Sequence, residues 1–430
     1  MMFNLRRELT IDRLGQRGEG IAVTPDGNVF VPYALPGEAV IAEVDGERGK
    51  LAEVAAPSAE RIAPFCPHYG ICGGCAVQAL AAPAYQAWKR SLLVEALSHA
   101  GLTPDIAPLV DAHGAGRRRA TFHARFDRDP LGKVRMDVGF MRARAHDIVD
   151  LDVCPVLAPD MAGALPAAHL IARLLSSLLK PLDIVVTATL EGLDVDIRGT
   201  GALPPDVSRK LISIADRLDL ARVANHGEVL VERRPPLLKM GNASVLPPAG
   251  VFLQATLAGE EALSRLVIEA VGPAKRVADL FAGVGTFALR LCARAEVHAV
   301  ETEPLALAAL TRAVPNTPGS RQVTTERRDL FRRPLAGGEL ANFDAVVFDP
   351  PRAGAQEQAQ ALAASAVMTV IAVSCNVQTF SRDAKILVDG GYTFERVTPV
   401  DQFRHSPHVE MVGVFRRVKT KQKKVRRLLG

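Results

Sequence analysis

Cys375 sits between two polar neighbours, Ser374 and Asn376, where the apolar run 369–373 ends and a helix is expected to open. A free cysteine is most often a small buried hydrophobe, and Cys292, inside an apolar stretch, fits that description. At the mouth of a helix the amide dipoles instead favour the thiolate, the form that attacks. Gly283-Val284-Gly285 makes a tight turn after the apolar run 277–281, Ala288 completes a GxGxxA pattern, and the acidic Glu301 suits a pair of ribose hydroxyls. Such a turn accepts NAD, FAD or the adenosyl group of S-adenosylmethionine. Asp329 follows a third expected strand, 322–326, Asp349 ends a fourth, 343–348, and Pro350-Pro351 fix an extended backbone behind Asp349. Arg352 stands where amino-group methyltransferases usually place an aromatic after paired prolines, which argues against N-methylation. A nucleophilic cysteine beside a methyl-donor site suits one reaction in particular. Carbon 5 of a pyrimidine becomes nucleophilic once a thiolate adds to carbon 6, and the adduct then needs a base for the carbon 5 proton. Glu410, at the end of His405-Ser406-Pro407-His408-Val409-Glu410, offers that carboxylate, with His408 the next candidate.

These residues need a scaffold that brings them to one edge. From about residue 260 the sequence alternates strand and helix, with strands expected at 277–281, 297–300, 322–326, 343–348, 369–373 and 411–415 and a helix over 286–294. That pattern predicts an α/β fold whose parallel sheet binds ligands outside the carboxyl ends of its strands. The glycine turn, Glu301, Asp329, Asp349 and Cys375 all fall at such ends. Residues 8–55 read instead as about five short strands split by Asp26-Gly27, Pro36-Gly37 and Asp45-Gly46, a small barrel. Between them lies a mixed segment with an amphipathic stretch around 85–99, and Pro235-Pro236 and Pro247-Pro248 flank the next join.

Cys66, Cys72 and Cys75 cluster on one loop, and Cys154 precedes Pro155. Without a secretory signal, clustered cysteines point to metal before disulfides. Zinc usually takes two Cys-x2-Cys knuckles; three cysteines on one loop plus a remote Cys-Pro suit a four-iron cluster better, with zinc still open. The chain of 430 residues carries a net charge of +5, yet 416–430 hold eight Lys or Arg and no acid, so the basic character is a tail. The longest stretch free of charged residues, 358–381, has a dense apolar part too short for a bilayer. A cytoplasmic, monomeric protein without a membrane partner is expected.

Asp279–Leu289 (DLFAGVGTFAL), Asp349–Gly354 (DPPRAG), Ser374–Asp383 (SCNVQTFSRD) and His408–Glu410 (HVE) together resemble the RNA (uracil-5-)-methyltransferases. The resemblance extends to the branch acting on 23S ribosomal RNA. It implies a C-terminal seven-stranded, Rossmann-like class I methyltransferase domain at 241–418 and a mixed α+β central domain at 58–240, part of whose 85–116 packs on the catalytic domain. An OB-like RNA-binding barrel of the TRAM type at 1–57 and a basic tail at 419–430 complete it. It further implies Cys375 as nucleophile, Glu410 as base, and an S-adenosylmethionine site of Gln254, Phe281, Gly283, Thr286, Glu301, Asp329 and Asp349. Cys66, Cys72, Cys75 and Cys154 would hold a 4Fe-4S cluster, and RNA would be the partner. Thr256 stands where relatives have Asn, and Thr286 where Asn is common. The barrel segment has nine acids against six bases, so Arg117-Arg118-Arg119 or the tail become alternatives for gripping phosphates. Transfer RNA uridine and RNA cytosine carbon 5 are the nearest rival substrates. An NAD-dependent dehydrogenase would leave Cys375 and Glu410 idle, as would a noncatalytic RNA-binding iron–sulfur protein.

Overall fold

The computed structural model describes residues 5–128 and 134–417. Its contacts divide the chain into two compact units. One comprises Met1–Glu95, Pro108–Ala262 and Pro399–Glu410, and the other Ala96–Ala107, Leu263–Thr398 and Met411–Gly430. The N-terminal sheet and the central segment therefore share a unit. The chain remains in it past the proline pairs, as far as Ala262.

In the first unit, six strands rather than five form the N-terminal sheet, in the order Leu5–Thr10, Ala39–Asp45, Arg48–Ala56, Gly27–Pro32, Glu19–Thr24 and Arg13–Leu14. Alternation along Ala39–Asp45 buries Val40, Ala42 and Val44 on one face. They share a core with Leu9, Ile11, Ala22, Val29 and Val31, so strands from both sides of the sheet enclose one interior. Gly49 has to be small here, because a Cβ would meet Val31 at 2.7 Å. The fully buried Glu38 accepts from the Leu35 amide at 2.8 Å and from Arg61 Nη2 at 2.8 Å, tying the sheet to the cysteine segment.

The central sheet of this unit runs Ile148–Asp150, Val134–Met141, Arg119–Arg128, Leu182–Thr189, Gly192–Arg198, Arg222–Asn225 and Glu228–Glu232. All neighbours are antiparallel except Gly192–Arg198 with Arg222–Asn225. Helices Ala164–Leu175 and Pro205–Arg217 supply apolar faces to its core. Pro159–Leu178 is long and apolar enough in composition to cross a membrane. Its apolarity has a local use, since Met161, Leu165, Ala168, Ile171 and Leu175 all enter the core of the sheet.

The second unit is built on a sheet in the order Val323–Arg327, Glu296–Glu301, Arg276–Leu280, Ala345–Phe348, Thr369–Ser374, Glu410–Arg416 and Thr393–Asp401, extended at its edge by Asp105–Ile106. The first five strands are parallel, and Glu410–Arg416 runs antiparallel to Thr369–Ser374. Every residue of Ala345–Phe348 and Thr369–Ser374 is buried, as in a parallel sheet covered on both faces. The six strands read from the sequence are all present within two residues of their expected ends. The helix expected over 286–294 is shorter, Ala288–Leu291. Its start is set by Asp279, whose Oδ2 accepts from the Ala288 amide at 2.8 Å.

Candidate active-site groups and a cysteine cavity

The second unit gathers its chemical groups where the parallel strands end. Beyond Leu280 the backbone turns sharply: Phe281 has φ 62°, Gly283 φ 54° and Gly285 φ 101°. Glycine relieves the steric cost at two of these positions, and a Cβ at Gly285 would also meet Leu289 at 2.9 Å. Phe281 bears that cost in the left-handed region, as residues at functional sites often do. Its ring lies 5.5 Å from that of Phe331. Glu301 pins the turn, with Oε2 accepting from the Gly283 amide at 2.8 Å and Oε1 from the Thr302 and Glu303 amides at 2.6 and 2.9 Å. Asp329 Oδ1 accepts from the Phe331 amide at 3.0 Å. Burial pushes Asp349 up to about 7. Burial, then the nearby charges of Asp349 and Glu301, hold Asp279 at about 8. Asp279 Oδ1 is buried with no hydrogen-bond partner among the described residues. Sequence reading passed over Asp279, although an acid inside a buried apolar strand is itself a signal.

Cys375 is half-buried at the end of Thr369–Ser374. Asn376 caps helix Val377–Asp389, its Oδ1 accepting from the Gln378 amide at 2.9 Å and the Thr379 amide at 3.4 Å. The same side chain donates through Nδ2 to the Arg352 carbonyl at 3.2 Å, and Thr379 Oγ1 donates there at 3.1 Å. The cysteine turn and the loop after Asp349-Pro350-Pro351 are thus held together. Gly354, at φ 75°, lets that loop pass Arg382 and Asp383, which a Cβ would meet at 2.5 and 2.7 Å.

In the first unit, Gln254 and Glu410 meet through a residue that sequence reading missed. Gln402 Nε2 donates to Gln254 Oε1 at 2.6 Å and to Glu410 Oε1 at 3.1 Å, and all three side chains are buried. The Gln402 oxygen faces the Thr256 amide at 3.4 Å. Thr256 makes its own bonds, donating through Oγ1 to the Ala112 carbonyl at 2.6 Å and accepting from the Gly259 amide at 2.8 Å. Lys89, on helix Ala82–His99, is fully buried and orders the chain leading to Glu410. It donates to Asp401 Oδ1 at 2.9 Å, to the Phe403 carbonyl at 3.3 Å and to the His408 carbonyl. Tyr85, one turn earlier, donates to Asp401 Oδ2. Arg118 is not available to phosphates, because its guanidinium is buried against Glu260. Most of the basic tail, 418–430, lies outside the described residues.

Cys66, Cys72, Cys75 and Cys154 line one cavity with His68, Tyr69 and Gln78. Burial pushes the Cys72 and Cys75 thiols up and takes Cys154 to about 12. The buried Gln78 side chain faces the Cys75 thiol, and its hydrogen bond there offsets part of the rise that burial causes. Gly73 lets the loop approach the strand Val134–Met141, its amide donating to the Met141 carbonyl at 2.9 Å. Among the described residues, no three His, Cys, Asp or Glu side chains converge closely enough to hold a single metal ion.

A family model described as tRNA (Uracil-5-)-methyltransferase matches residues 319–419. The 23S rRNA (uracil(1939)-C(5))-methyltransferase RlmD of Chromohalobacter salexigens is 33% identical over 95% of this chain and 89% of its own length. The chain belongs to the RNA (uracil-5-)-methyltransferase family. An uncharacterized RNA methyltransferase of Caulobacter vibrioides is 46% identical over 96% of this methyltransferase and 100% of its own length. The Pyrococcus abyssi tRNA (uracil-54, C5)-methyltransferase, solved with S-adenosyl-L-homocysteine, superposes with a TM-score of 0.72 at 22% identity, over 95% of this chain and 99% of that one. The sheet of the second unit accordingly has the class I methyltransferase fold, in an enzyme that depends on S-adenosylmethionine.

Proposed function

We propose that this enzyme methylates carbon 5 of a uridine in 23S ribosomal RNA. The observation that carries the substrate is the near full-length relationship to the Chromohalobacter salexigens enzyme. S-adenosylmethionine is the co-substrate that supplies the methyl group. Its assigned binding residues are Gln254, Phe281, Gly283, Thr286, Glu301, Asp329 and Asp349, and Glu301 accepts from the amides of Gly283, Thr302 and Glu303. Cys375 adds as thiolate to carbon 6 of the uracil, which turns carbon 5 into an enolate carbon able to take the methyl group. Glu410 then removes the carbon 5 proton, the carbon 5–carbon 6 double bond reforms, and the thiolate leaves. The cap at Asn376 supports this role for Cys375, because it sits next to the thiol and starts a 13-residue helix, whose dipole favours a negative charge there.

The residues around the cysteine cavity fit an iron–sulfur cluster. A four-iron cube binds one thiolate at each of four corners, and four cysteines line this one cavity. The Gln78 side chain, which bonds the Cys75 thiol, would donate to that sulfur as a cluster ligand. Held by Cys66, Cys72, Cys75 and Cys154, the cluster would cross-link the loop to the chain at Cys154; methyl transfer to an enolate carbon needs no electron. The N-terminal sheet serves as the RNA-binding TRAM module, and the enzyme works in the cytoplasm. Mapping 5-methyluridine in ribosomal and transfer RNA, from cells with and without the gene, tests the reading. Loss of one 23S ribosomal site is expected; loss confined to transfer RNA would overturn the substrate.

A further inference from the structure

We infer that Gln402 is a positioning residue for the proton-abstracting step, holding Glu410 by a neutral donor and locking it to Gln254. The inference rests on Glu410 being the base. An amide has one oxygen and two N–H hydrogens, and each has a distinct neighbour here. The Gln402 oxygen faces the Thr256 amide at 3.4 Å, while Nε2 serves Gln254 Oε1 at 2.6 Å and Glu410 Oε1 at 3.1 Å. Flipping the amide would set its oxygen against two acceptor oxygens, so this orientation is the stable one. The side chain has little room to leave it: a Cβ on Gly259 would meet Gln402 Oε1 at 2.7 Å and Cβ at 2.8 Å.

A base must be fixed in direction without losing its affinity for a proton. An arginine or lysine in the place of Gln402 would fix Glu410 but strongly stabilise its charge. A neutral amide orients one carboxylate oxygen at a smaller cost in basicity. The charged groups nearby are mostly engaged with one another: Lys89 with Asp401, Arg118 with Glu260, and Arg404 with Asp111. Burial lowers His113 and holds His405 at about 4, which leaves the His405 imidazole neutral at working pH; Arg117 lies over the Phe403 ring, and His408 precedes Glu410 by two residues. Nothing in the sequence motif marks Gln402 for this task. Its partners are 8 and 148 residues away.

The test follows the covalent protein–RNA adduct on denaturing gels, using the full chain with S-adenosylmethionine and an RNA substrate. Gln402→Met keeps the volume and removes the donor; Gln402→Asn keeps the amide but shortens its reach. At saturating S-adenosylmethionine, which offsets any loosening of Gln254, both should form the adduct at near the wild-type rate and resolve it roughly ten- to a hundredfold more slowly below neutral pH, the scale of one hydrogen bond to a charged group. The defect should shrink as pH rises, because a carboxylate that loses its donor ionises at higher pH. A merely structural lesion would slow resolution equally at every pH. If both variants clear the adduct with the wild-type pH profile while Glu410→Gln accumulates it, Gln402 has no positioning role and Glu410 keeps its own. If Glu410→Gln clears the adduct as fast as wild type, the assignment of the base falls, and this inference with it.

Discussion

Lys89→Met should destabilise the first unit by about 4 kcal/mol at pH 7, and the penalty should shrink as the solution is acidified. Lys89 has no solvent exposure, and Asp401 is nearly as buried. Burial draws the lysine below its usual pKa while Asp401 pulls it back up. Breaking such a pair by removing one member costs about 3–5 kcal/mol, because the other charge is left buried. Methionine matches the length of the lysine stem, so little of this loss comes from a cavity. What remains is Asp401 with Tyr85 as its side-chain donor. The variant has an escape, which is to protonate that carboxylate. From an ordinary aspartate pKa near 3.9, neutralisation costs about 4 kcal/mol at pH 7 and about 1.5 kcal/mol at pH 5. The charge part of the penalty should follow those values, so the variant recovers relative to wild type as pH falls. Adding Asp401→Asn should recover most of it at pH 7, since the amide oxygen still accepts from Tyr85 and no charge is stranded.

Trp88 makes the measurement local. It is the chain's single tryptophan, it neighbours Lys89, and its Nε1 donates to the Gly15 carbonyl at 3.1 Å within the same unit. Urea titrations followed by its fluorescence at pH 5 and pH 7 give the two differences directly. A loss under about 1 kcal/mol at pH 7 would refute the reasoning. So would a full loss that neither acid nor Asp401→Asn relieves.

Three other outcomes are expected. Cys375→Ala should bind S-adenosylhomocysteine as wild type does by calorimetry yet lose turnover, and wild type should be trapped covalently by 5-fluorouridine RNA; substantial turnover by the variant would exclude the thiolate mechanism. Anaerobically purified protein should be brown and contain iron without zinc, with Cys154→Ser as damaging to iron content as Cys72→Ser; one zinc and no iron would overturn the cluster. Asp279, held near pKa 8 when folded, binds its proton more tightly than in the unfolded chain, so it stabilises the fold below about pH 4 and loses that contribution as pH rises to about 8. Asp279→Asn should flatten that part of the decline in far-ultraviolet denaturation midpoints, and an unchanged slope would show that Asp279 titrates normally.

The ends of the parallel strands were legible because two local signals coincide there. Apolar runs of five or six residues are strand-like, and Asp349-Pro350-Pro351 or Gly283-Val284-Gly285 cannot continue a strand. Helix length after the glycine turn was not legible, because what fixes it is a bond from Asp279 to Ala288, nine residues on and across the turn. The division of the molecule was hidden for a similar reason. Proline pairs mark where a chain bends, but contacts hold 241–262 with the central sheet, through Arg222 donating to the Pro247 carbonyl and Arg118 pairing with Glu260.

The support for Glu410 shows why a motif can reveal a candidate group and conceal what holds it. His408-Val409-Glu410 is contiguous and visible, whereas Lys89 reaches Asp401 across 312 residues of sequence. A periodic reading places Lys89 on the same helical face as Tyr85, four residues earlier, and as Leu92 and Leu93, and so could have flagged it: a lone cation on an apolar face must find an acid or lose its charge. That argument predicts that some buried carboxylate exists, without saying which. Only the fold selects Asp401, and in doing so it places the ammonium group against the carbonyls of Phe403 and His408, on either side of the loop that delivers Glu410. Glu410 is therefore oriented by a charge pair at the start of its loop and by an amide donor at its carboxylate. Each can be removed separately, and the two losses should differ in kind: the first in stability, the second in the pH dependence of adduct resolution.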